Sequence, residues 1–219
     1  MDYPINEIFT TIQCEGTHAG VPSVFIRLQG CDVGCSWCDT KHTWALDKDS
    51  EVSAAEVLAD KTKDVEYALI GTDDIVQKVQ LASPVGHVVI TGGEPAWYDL
   101  RPLTEALIKK NYFVQIETSG LYDIRVDPKT WVTVSPKSTK AGTTKLKALT
   151  RADEIKFPVG GAKDIARVKQ LDETFALPRN IIWLQPLSKS NSATKICIDA
   201  AIRYGWRLSI QTHKYLDIR

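Results

Sequence analysis

The sequence lacks a long apolar run and an excess of charge of either sign. No stretch of about 18 apolar residues, the length that a membrane-spanning helix needs, appears among the 219 residues. The first residues carry neither the basic start nor the apolar stretch of a secretory signal. Lysine and arginine total 27, as do aspartate and glutamate, so no summed positive field attracts nucleic acid or an anionic membrane. We therefore expect a cytoplasmic protein that binds neither nucleic acid nor membrane.

The chain also lacks the linkers that separate domains and the paired cysteines that form a disulfide framework. It has no internal repeat, low-complexity tract or linker, so we predict one domain over residues 1–219. A domain of this length buries roughly 70% of its unfolded surface. The five cysteines are an odd number, which argues against a disulfide framework and for thiolate chemistry in a reducing compartment.

Short apolar runs alternate with helical patterns, which indicates β/α alternation. The predicted strands are residues 23–29, 87–91, 112–117, 131–135, 153–157, 180–185 and 206–211. Residues 43–70 interrupt the alternation and are predicted to be an insertion with a helix at 54–60. Asp99 and Ser192 are predicted to start two further helices as capping residues. The apolar stripes of these helices are Leu100, Leu103 and Leu107 in the first and Ile196, Ala200 and Ile202 in the second.

A polar or glycine-rich cluster follows each predicted strand. The clusters are residues 31–38, 91–95, 117–120, 135–137, 156–158, 185–188 and 211–215. Such clusters at the carboxyl ends of parallel strands are where barrel-like α/β folds build their sites. A closed barrel needs eight strands, more than this chain supplies. The sequence therefore predicts an α/β fold, an incomplete TIM-like barrel of about six parallel strands.

Cys31, Cys35 and Cys38 are the strongest chemical signal in the chain, and the glycines beside them favour a loop that wraps around a metal centre. Three thiolates leave one position of a tetrahedral site open, whereas a structural zinc site fills all four. A [4Fe-4S] cluster that keeps one iron for a small molecule fits this set. A structural zinc site with His42 as fourth ligand and a set of buried unreactive thiols are the alternatives.

The cysteine loop is followed by an apolar run at residues 87–90 and by Thr-Gly-Gly-Glu-Pro at residues 91–95. Together these elements resemble the radical S-adenosylmethionine (SAM) superfamily. More narrowly, the chain resembles the 7-carboxy-7-deazaguanine synthase family along essentially its whole length. The matching stretches are residues 12–16, 25–31, 38–42, 117–120, 135–137, 185–188 and 211–215. One departure is Cys14, where the family usually has glycine, so the backbone there is expected to sit differently.

The resemblance implies that Cys31, Cys35 and Cys38 hold a [4Fe-4S] cluster whose remaining iron chelates SAM. One electron from the reduced cluster then cleaves SAM to methionine and a 5′-deoxyadenosyl radical. The residues implied in SAM binding are Trp37, Cys38, Asp39, Gly93, Glu94, Ser135, Pro136, Lys137, Gln185, Pro186, Leu187 and Ser188. Taken without the resemblance, Trp37 equally suits a core aromatic position, and Lys137 suits a solvated surface charge.

The resemblance also implies a substrate site and a magnesium site. The implied substrate-binding residues are Ile12, Gln13, Cys14, Glu15, Arg27, Thr91, His213 and Arg219, the last through its terminal carboxylate. Glutamine and glutamate side chains pair with the donor and acceptor edge of a pterin, and the planar fork of Arg27 suits a carboxylate. Thr40 is the position implied to bind Mg²⁺, an ion that prefers oxygen ligands and tends to keep waters. Taken alone, Thr40 is a turn residue and His213 equally suits a capping or core role.

The activity that the resemblance implies is a radical SAM lyase reaction. It converts 6-carboxy-5,6,7,8-tetrahydropterin to 7-carboxy-7-deazaguanine with loss of ammonia, in queuosine and 7-deazaguanine biosynthesis, with SAM regenerated. A homodimer and an electron donor such as a flavodoxin are implied as well. Two alternatives stay open: an activating enzyme that generates a glycyl radical on a partner protein, and a zinc-bearing binding module.

Overall fold

The fold is described from a computed structural model, which covers residues 1–60, 63–82 and 84–218. The strands are β1 (Asp2–Ile12), β2 (Pro22–Leu28), β3 (Ala68–Gly71), β4 (His87–Gly92), β5 (Phe113–Thr118), β6 (Trp131–Val134), β7 (Ser138–Thr139), β8 (Gly142–Thr143), β9 (Glu154–Val159), β10 (Ile182–Pro186) and β11 (Arg207–Leu208). The α-helices are α1 (Ala54–Leu58), α2 (Thr72–Gln80), α3 (Arg101–Lys109), α4 (Leu146–Arg151), α5 (Ala162–Phe175), α6 (Asn191–Tyr204) and α7 (His213–Leu216).

Nine of these strands form one sheet in the order β11-β10-β9-β6-β5-β4-β2-β1-β3. Seven neighbouring strands of this sheet pair in parallel, namely β11, β10, β9, β6, β5, β4 and β2. Strand β1 pairs antiparallel with β2 and with β3. Strands β11 and β3 are the two edges of this sheet in the described part of the chain, so the barrel is incomplete. The prediction of an α/β partial barrel is confirmed, with seven parallel strands rather than about six.

The core consists of apolar side chains that are neighbours in register across the parallel strands. Ile26, Ile90, Ile116 and Val132 form one such row on β2, β4, β5 and β6, and all four are fully buried. Helices then cover the sheet, as when α3 buries its predicted leucines. The carboxyl ends of the parallel strands consequently lie along one edge, where the polar clusters gather.

Residues 13–18 leave β1 and cross to strands on the far side of the sheet. The Gly16 amide donates to Ser209 Oγ (2.9 Å), and the Thr17 amide donates to Glu154 Oε2 at the start of β9 (2.6 Å). The end of the chain joins the same crossing, because the Thr212 amide donates to the Cys14 carbonyl (3.2 Å). This crossing segment therefore links β1 to β9 and to the C-terminal residues.

All seven predicted strands are present, and most of their ends lie within two residues of those predicted. Strands β1 and β3 were not predicted, because Pro4 interrupts the pattern of β1 and β3 has only four residues. β3 begins inside the predicted 43–70 insertion. The helix predicted there at 54–60 ends at Leu58, and Asp60 has a left-handed φ of 54°. That the chain is one domain stays a prediction.

Three details of the predicted helices are wrong. Ser190, rather than Ser192, is the N-cap of α6, and its hydroxyl accepts from the Ala193 amide (3.2 Å). Ile202 is 80% exposed and does not belong to the buried stripe of that helix. For α3, Leu100 holds the N-cap position, while the Asp99 side chain accepts from the Arg101 amide (3.2 Å). None of the helices in the described ranges is long and apolar enough to cross a membrane.

We predict that Gly92→Ala destabilises the fold by roughly 3 kcal/mol, because of overpacking and backbone strain. The φ of Gly92 is +118°, and an added Cβ would lie 2.3 Å from both the N and the O of Leu28 on the paired strand. Thermal unfolding of the purified variant measures the loss. Gly86→Ala is the matched control, since a Cβ at Gly86 meets nothing within 4 Å. Equal melting temperatures of the two variants would contradict the prediction.

Candidate active site

The loop that carries the three cysteines begins where β2 ends and is closed by hydrogen bonds. The buried Gln29 side chain donates to the carbonyls of His42 (3.0 Å) and Ala45 (2.8 Å). The Gly30 amide donates to Thr43 O (2.7 Å), and the Cys31 amide donates to Trp44 O (3.0 Å). These bonds join the two ends of the loop, so the cysteines between them are held as a unit.

Gly92 and Gly93 pack directly on the start of this loop. The Gly93 amide donates to Leu28 O (2.9 Å), and the Glu94 amide donates to Gly30 O (2.8 Å). A Cβ on Gly93 would lie 2.1 Å from the Gly30 carbonyl oxygen. The two glycines are therefore needed for a close approach between two protein backbones.

The Glu94 carboxylate braces the ends of β4 and β5. One oxygen accepts from the Ala96 amide (3.0 Å) and the Thr118 hydroxyl, and the other accepts from the amide (2.9 Å) and hydroxyl of Ser119. A carboxylate has about four acceptor positions, and these four donors fill them. Protein groups thus satisfy this buried carboxylate.

A cavity of about 220 Å³ lies between the cysteine loop and the ends of the parallel strands. Cys31, Cys35 and Cys38 form one wall. The residues implied in SAM binding that line it are Trp37, Cys38, Asp39, Gly93, Glu94, Ser135, Lys137, Gln185, Leu187 and Ser188. Pro136 and Pro186 are buried next to lining residues.

The three thiols suit a metal centre that supplies its own positive charge. Burial raises the pKa of Cys31 to about 11 and also raises the pKa of Cys35. Metal binding replaces thiol protons, because the thiolate is the ligand. Among the described residues, no three Cys, His, Asp or Glu side chains lie close enough together to hold a single metal ion. Three thiols on one cavity wall fit a larger group such as an iron–sulfur cluster.

A second cavity of about 380 Å³ adjoins the first. Its walls include every described residue that was implied in substrate binding: Ile12, Gln13, Cys14, Glu15, Arg27, Thr91 and His213. Arg219, the remaining one, lies outside the described residues. The residues that line both cavities are Glu15, Asp39, Thr40, Thr91, Glu117 and Lys214. The cavities therefore share a border, where a group bound in one can reach a group bound in the other.

Three charged side chains meet at this border. Lys156 Nζ lies 2.5 Å from Glu15 Oε2 and 3.0 Å from Glu117 Oε2, and the lysine side chain is only 5% exposed. Glu15 also accepts from the side-chain amides of Gln211 (2.8 Å) and Gln185 (3.2 Å). This network fixes one cation between two carboxylates.

The two carboxylates of the network differ in acidity. Burial raises the pKa of Glu15, but the Lys156 charge and hydrogen bonds outweigh it and lower that pKa to about 2. For Glu117, burial together with the charges of Glu15 and Glu154 outweighs Lys156 and raises the pKa to about 7. Burial opposes the charge of Lys156, yet the surrounding carboxylates raise its pKa. Glu15 is consequently a fixed anion, whereas Glu117 can gain and lose a proton near neutral pH.

Comparison with known proteins agrees with this geometry. Residues 25–140 match the model of the radical SAM superfamily. The 7-carboxy-7-deazaguanine synthase of Escherichia coli (strain K12) is 49% identical, and that of Buchnera aphidicola subsp. Schizaphis graminum is 42% identical, with 100% of both chains covered in each case. The crystal structure of QueE from Escherichia coli superposes with a TM-score of 0.89 at 47% identity, covering 97% of this chain and 95% of that chain.

The chain belongs to the 7-carboxy-7-deazaguanine synthase family. It is a radical SAM enzyme whose cofactors are a [4Fe-4S] cluster and SAM. The structure decides between the alternatives that sequence left open for two side chains. Trp37 is 48% exposed and lines the first cavity, so the interpretation as a core aromatic is wrong. Lys137 is half-buried and donates to the carbonyl (3.0 Å) and hydroxyl of Ser135, unlike a solvated surface charge.

The backbone at Cys14, the departure from the family pattern noted in the sequence, is free of strain. Cys14 is not among the residues with a positive φ, so the backbone there does not require glycine. Its amide donates to Gln13 Oε1 (2.8 Å), and its thiol donates to Ile12 O (3.2 Å). The side chain is 3% exposed and so fills space in the wall that a glycine leaves empty.

Arg27, His213 and Thr40 each face the substrate cavity with a defined neighbour. Arg27 Nε donates to Glu7 Oε1 (2.6 Å), which orients the guanidinium. His213 is the first residue of α7; burial lowers its pKa, while the charge of Glu15 opposes the shift. Thr40 Oγ1 lies 3.6 Å from Cys38 Sγ. The binding roles of the individual residues stay predictions.

Glu117, Lys156, Gln211 and Lys214 line the site but were given no role from sequence. Each lies in a polar cluster that follows a predicted strand, so their neighbourhood was predicted. Their partners are distant in sequence, as for Glu15 and Gln211, which are 196 residues apart. In the sequence, the only indication that these residues belong to the site is their position in the polar clusters that follow the predicted strands.

We predict that Lys156→Met lowers the free energy of unfolding at pH 7 by roughly 3–5 kcal/mol, because two buried carboxylates lose their cation. Without the lysine, both carboxylates bind protons more tightly when folded than when unfolded. The variant should therefore regain stability as the pH falls from 7 to 5. Urea unfolding at both pH values measures this. Lys169→Met, which breaks an exposed pair with Glu173 (3.4 Å), is the control and should change stability by less than about 1 kcal/mol. Equal stability of the two variants at pH 7 would refute the role of Lys156.

Proposed function

We propose that this chain converts 6-carboxy-5,6,7,8-tetrahydropterin to 7-carboxy-7-deazaguanine with loss of ammonia, as a radical SAM lyase of queuosine and 7-deazaguanine biosynthesis. The observation that carries the proposal is the shared border of the two cavities. The cysteines line one cavity, and the side chains implied in pterin binding line the other. Family membership at 49% identity over the whole chain supports the same reaction.

Cys31, Cys35 and Cys38 would hold the cluster, and the residues implied in SAM binding that line the first cavity would hold SAM. The chemistry that these cofactors supply when bound is the reductive cleavage of SAM to a carbon radical. The chain's own task is to position the substrate carbon within about 3–3.5 Å of the reacting atom and to exclude competing reactants. The backbone contacts of Gly93 and Glu94 with the loop serve that positioning, because they set the distance between the loop and β4.

The substrate cavity offers complementary groups for a carboxylated pterin. The Arg27 fork faces the substrate carboxylate, with Glu7 fixing its orientation. The fixed anion of Glu15 supplies the acceptor that a pterin's N–H groups require. Gln13 offers its side-chain N–H to the ring edge, because its oxygen already accepts from the Cys14 (2.8 Å) and Glu15 (3.2 Å) amides. Phe9 and Phe25, stacked with ring centroids 5.5 Å apart, supply an apolar surface in the same cavity.

Mg²⁺ binds at Thr40 in this proposal. The residue lines both cavities, so its hydroxyl oxygen faces the place where the substrate carboxylate meets the cofactor. Hard oxygen donors from substrate and water complete the preferred coordination of the ion. The ion would screen the substrate charge and fix its orientation.

The proposal extends to the setting of the enzyme. All five cysteines are free thiols, which supports a reducing compartment and hence the cytoplasm. A homodimer and an electron donor such as a flavodoxin are part of the proposal through family membership. The polypeptide-activating alternative requires an open groove, whereas Ile218 near the end of the chain lines the substrate cavity.

We predict that anaerobically reconstituted enzyme, given SAM, reductant, Mg²⁺ and the carboxypterin, forms the deazapurine, detected by its mass. Cys35→Ala should abolish product and reduce bound iron while the melting temperature stays within a few degrees, because a cluster ligand is lost. Cys197→Ala, at a buried cysteine in α6, is the control and should keep iron and product. Colourless wild-type protein with one zinc per chain would favour the zinc-bearing module instead.

We predict that deletion of residues 215–219 abolishes turnover and leaves the iron content unchanged, because Ile218 lines the substrate cavity and its removal would open that wall. Product formation and iron analysis are the measurements. Leu216→Ser, at a 59% exposed position in the same tail, keeps the length of the chain and should keep activity. Full turnover by the truncated enzyme would remove the tail from the proposal and reopen the polypeptide-activating alternative.

A further inference from the structure

Glu117 has no role in the function proposed so far, yet it lies at the border of both cavities. Its carboxylate is held by three side-chain contacts in the described part of the chain. Lys156 Nζ donates to Oε1 (3.2 Å) and Oε2 (3.0 Å), and Gln115 Nε2 donates to Oε1 (3.0 Å). The side chain is 17% exposed, and that exposure faces the cavities. A carboxylate in this position is anchored and can still meet a bound substrate.

The other titratable groups on the shared border are less suited to proton transfer. Glu15 is held by Lys156, Gln185 and Gln211 and stays ionised. Asp39 is 59% exposed and lies 3.9 Å from Lys214, so its charge faces solvent. Lys214 also donates to Gln211 Oε1 (2.8 Å), so its amine is already engaged. Glu117 is the carboxylate on this border whose surroundings favour a change of protonation state.

The charges around Glu117 explain that property. Lys156 on β9 faces it directly and favours its ionised form. Glu15 from the crossing segment and Glu154 at the start of β9 favour the protonated form, as does burial. Lys137, after β6, adds a weaker positive charge on the side of the cysteine loop. The pKa of about 7 that results matches the value at which a general acid and base is most effective at neutral pH.

We propose that Glu117 transfers the proton in the ammonia-eliminating step, taking it from the ring carbon that becomes aromatic and returning a proton to the departing amine. This inference rests on the function proposed above. Loss of ammonia from the ring-contracted isomer changes no oxidation state. One C–H bond breaks and its electron pair becomes a ring double bond, the C–N bond breaks with its pair leaving on nitrogen, and the amine gains one proton. One carboxylate that accepts and then donates a proton balances the step.

His213 is the rival for this role, because its imidazole lines the substrate cavity and is half-buried. It lies on the substrate side only, whereas Glu117 lies where the reacting part of the substrate meets the cofactor cavity. The experiment must therefore separate the two groups.

The test measures kcat, KM and their pH dependence for Glu117→Gln in the reconstituted holoenzyme, with substrate deuterated at C6. We expect kcat to fall at least about 100-fold, the usual contribution of a general acid or base, with KM within about threefold of wild type. Deuterium should still appear in SAM, because hydrogen transfer precedes the elimination. The acid limb of the wild-type pH profile should vanish in the variant, and Glu117→Asp should restore part of kcat.

Glu154→Gln is the matched control. Glu154 belongs to the same cluster of charged side chains as Glu117, but it lines neither of the two cavities. The amide oxygen of the glutamine can still accept from the Thr17 amide. Its kcat should stay within about threefold of wild type. The acid limb should move to lower pH, because one negative charge near Glu117 is gone.

Wild-type kcat in Glu117→Gln would overturn the inference, as would loss of deuterium transfer along with kcat, which would make Glu117 a binding or structural group. An acid limb that survives in Glu117→Gln and disappears in His213→Gln would assign the proton transfer to the histidine. Failure of the proposed function itself is distinguishable, because the wild-type enzyme would then yield no deazapurine.

Discussion

The site depends on one backbone contact, the approach of Gly92 and Gly93 to the start of the cysteine loop. Two amide-to-carbonyl bonds join these segments, to Leu28 O and Gly30 O, and a Cβ on Gly92 or Gly93 would collide with the backbone of Leu28 or Gly30. The contact aligns the ends of β2 and β4, so the wall with the thiols and the wall with the strand ends keep a fixed separation. Every other feature of the cofactor cavity is built on these two walls, including the brace that Glu94 forms to β5.

The second constraint is electrostatic and lies on the opposite wall. Lys156 is buried between two carboxylates from segments far apart in the chain, and a buried cation is tolerated only when such partners surround it. The group connects the crossing segment, β5 and β9, which together line both cavities. The packing that surrounds Lys156 with carboxylates also lowers the pKa of Glu15 and raises the pKa of Glu117. One arrangement of charges therefore determines both the stability of the cluster and its protonation. Removal of one member would alter both the stability and the protonation of the others.

Much of this arrangement was predictable from sequence because it follows local rules. Apolar runs located the seven parallel strands, and the rule that strand ends gather at one edge located the residues around the cysteines and Gly93. The crossing segment was not predictable, since Gly16 and Ser209 are 193 residues apart and no periodicity connects them. Lys156 has the sequence setting of an ordinary strand residue, and only its long-range partners explain its burial. Strand β1 was not predictable for a local reason, because Pro4 interrupts its apolar pattern.

The hydrogen bond between Thr212 and Cys14 joins positions 198 residues apart. Since Gln211 also holds Glu15, the substrate chamber takes shape only after the far end of the polypeptide has returned to its beginning. During synthesis, a ribosome-bound chain can form β2, β4 and the thiol loop early, yet the pterin chamber stays incomplete until residues 211 and 212 emerge. Contacts of such long range form slowly, so we expect the substrate chamber to form later in folding than the thiol loop, whose closing side-chain bonds join residues 13 and 16 positions apart.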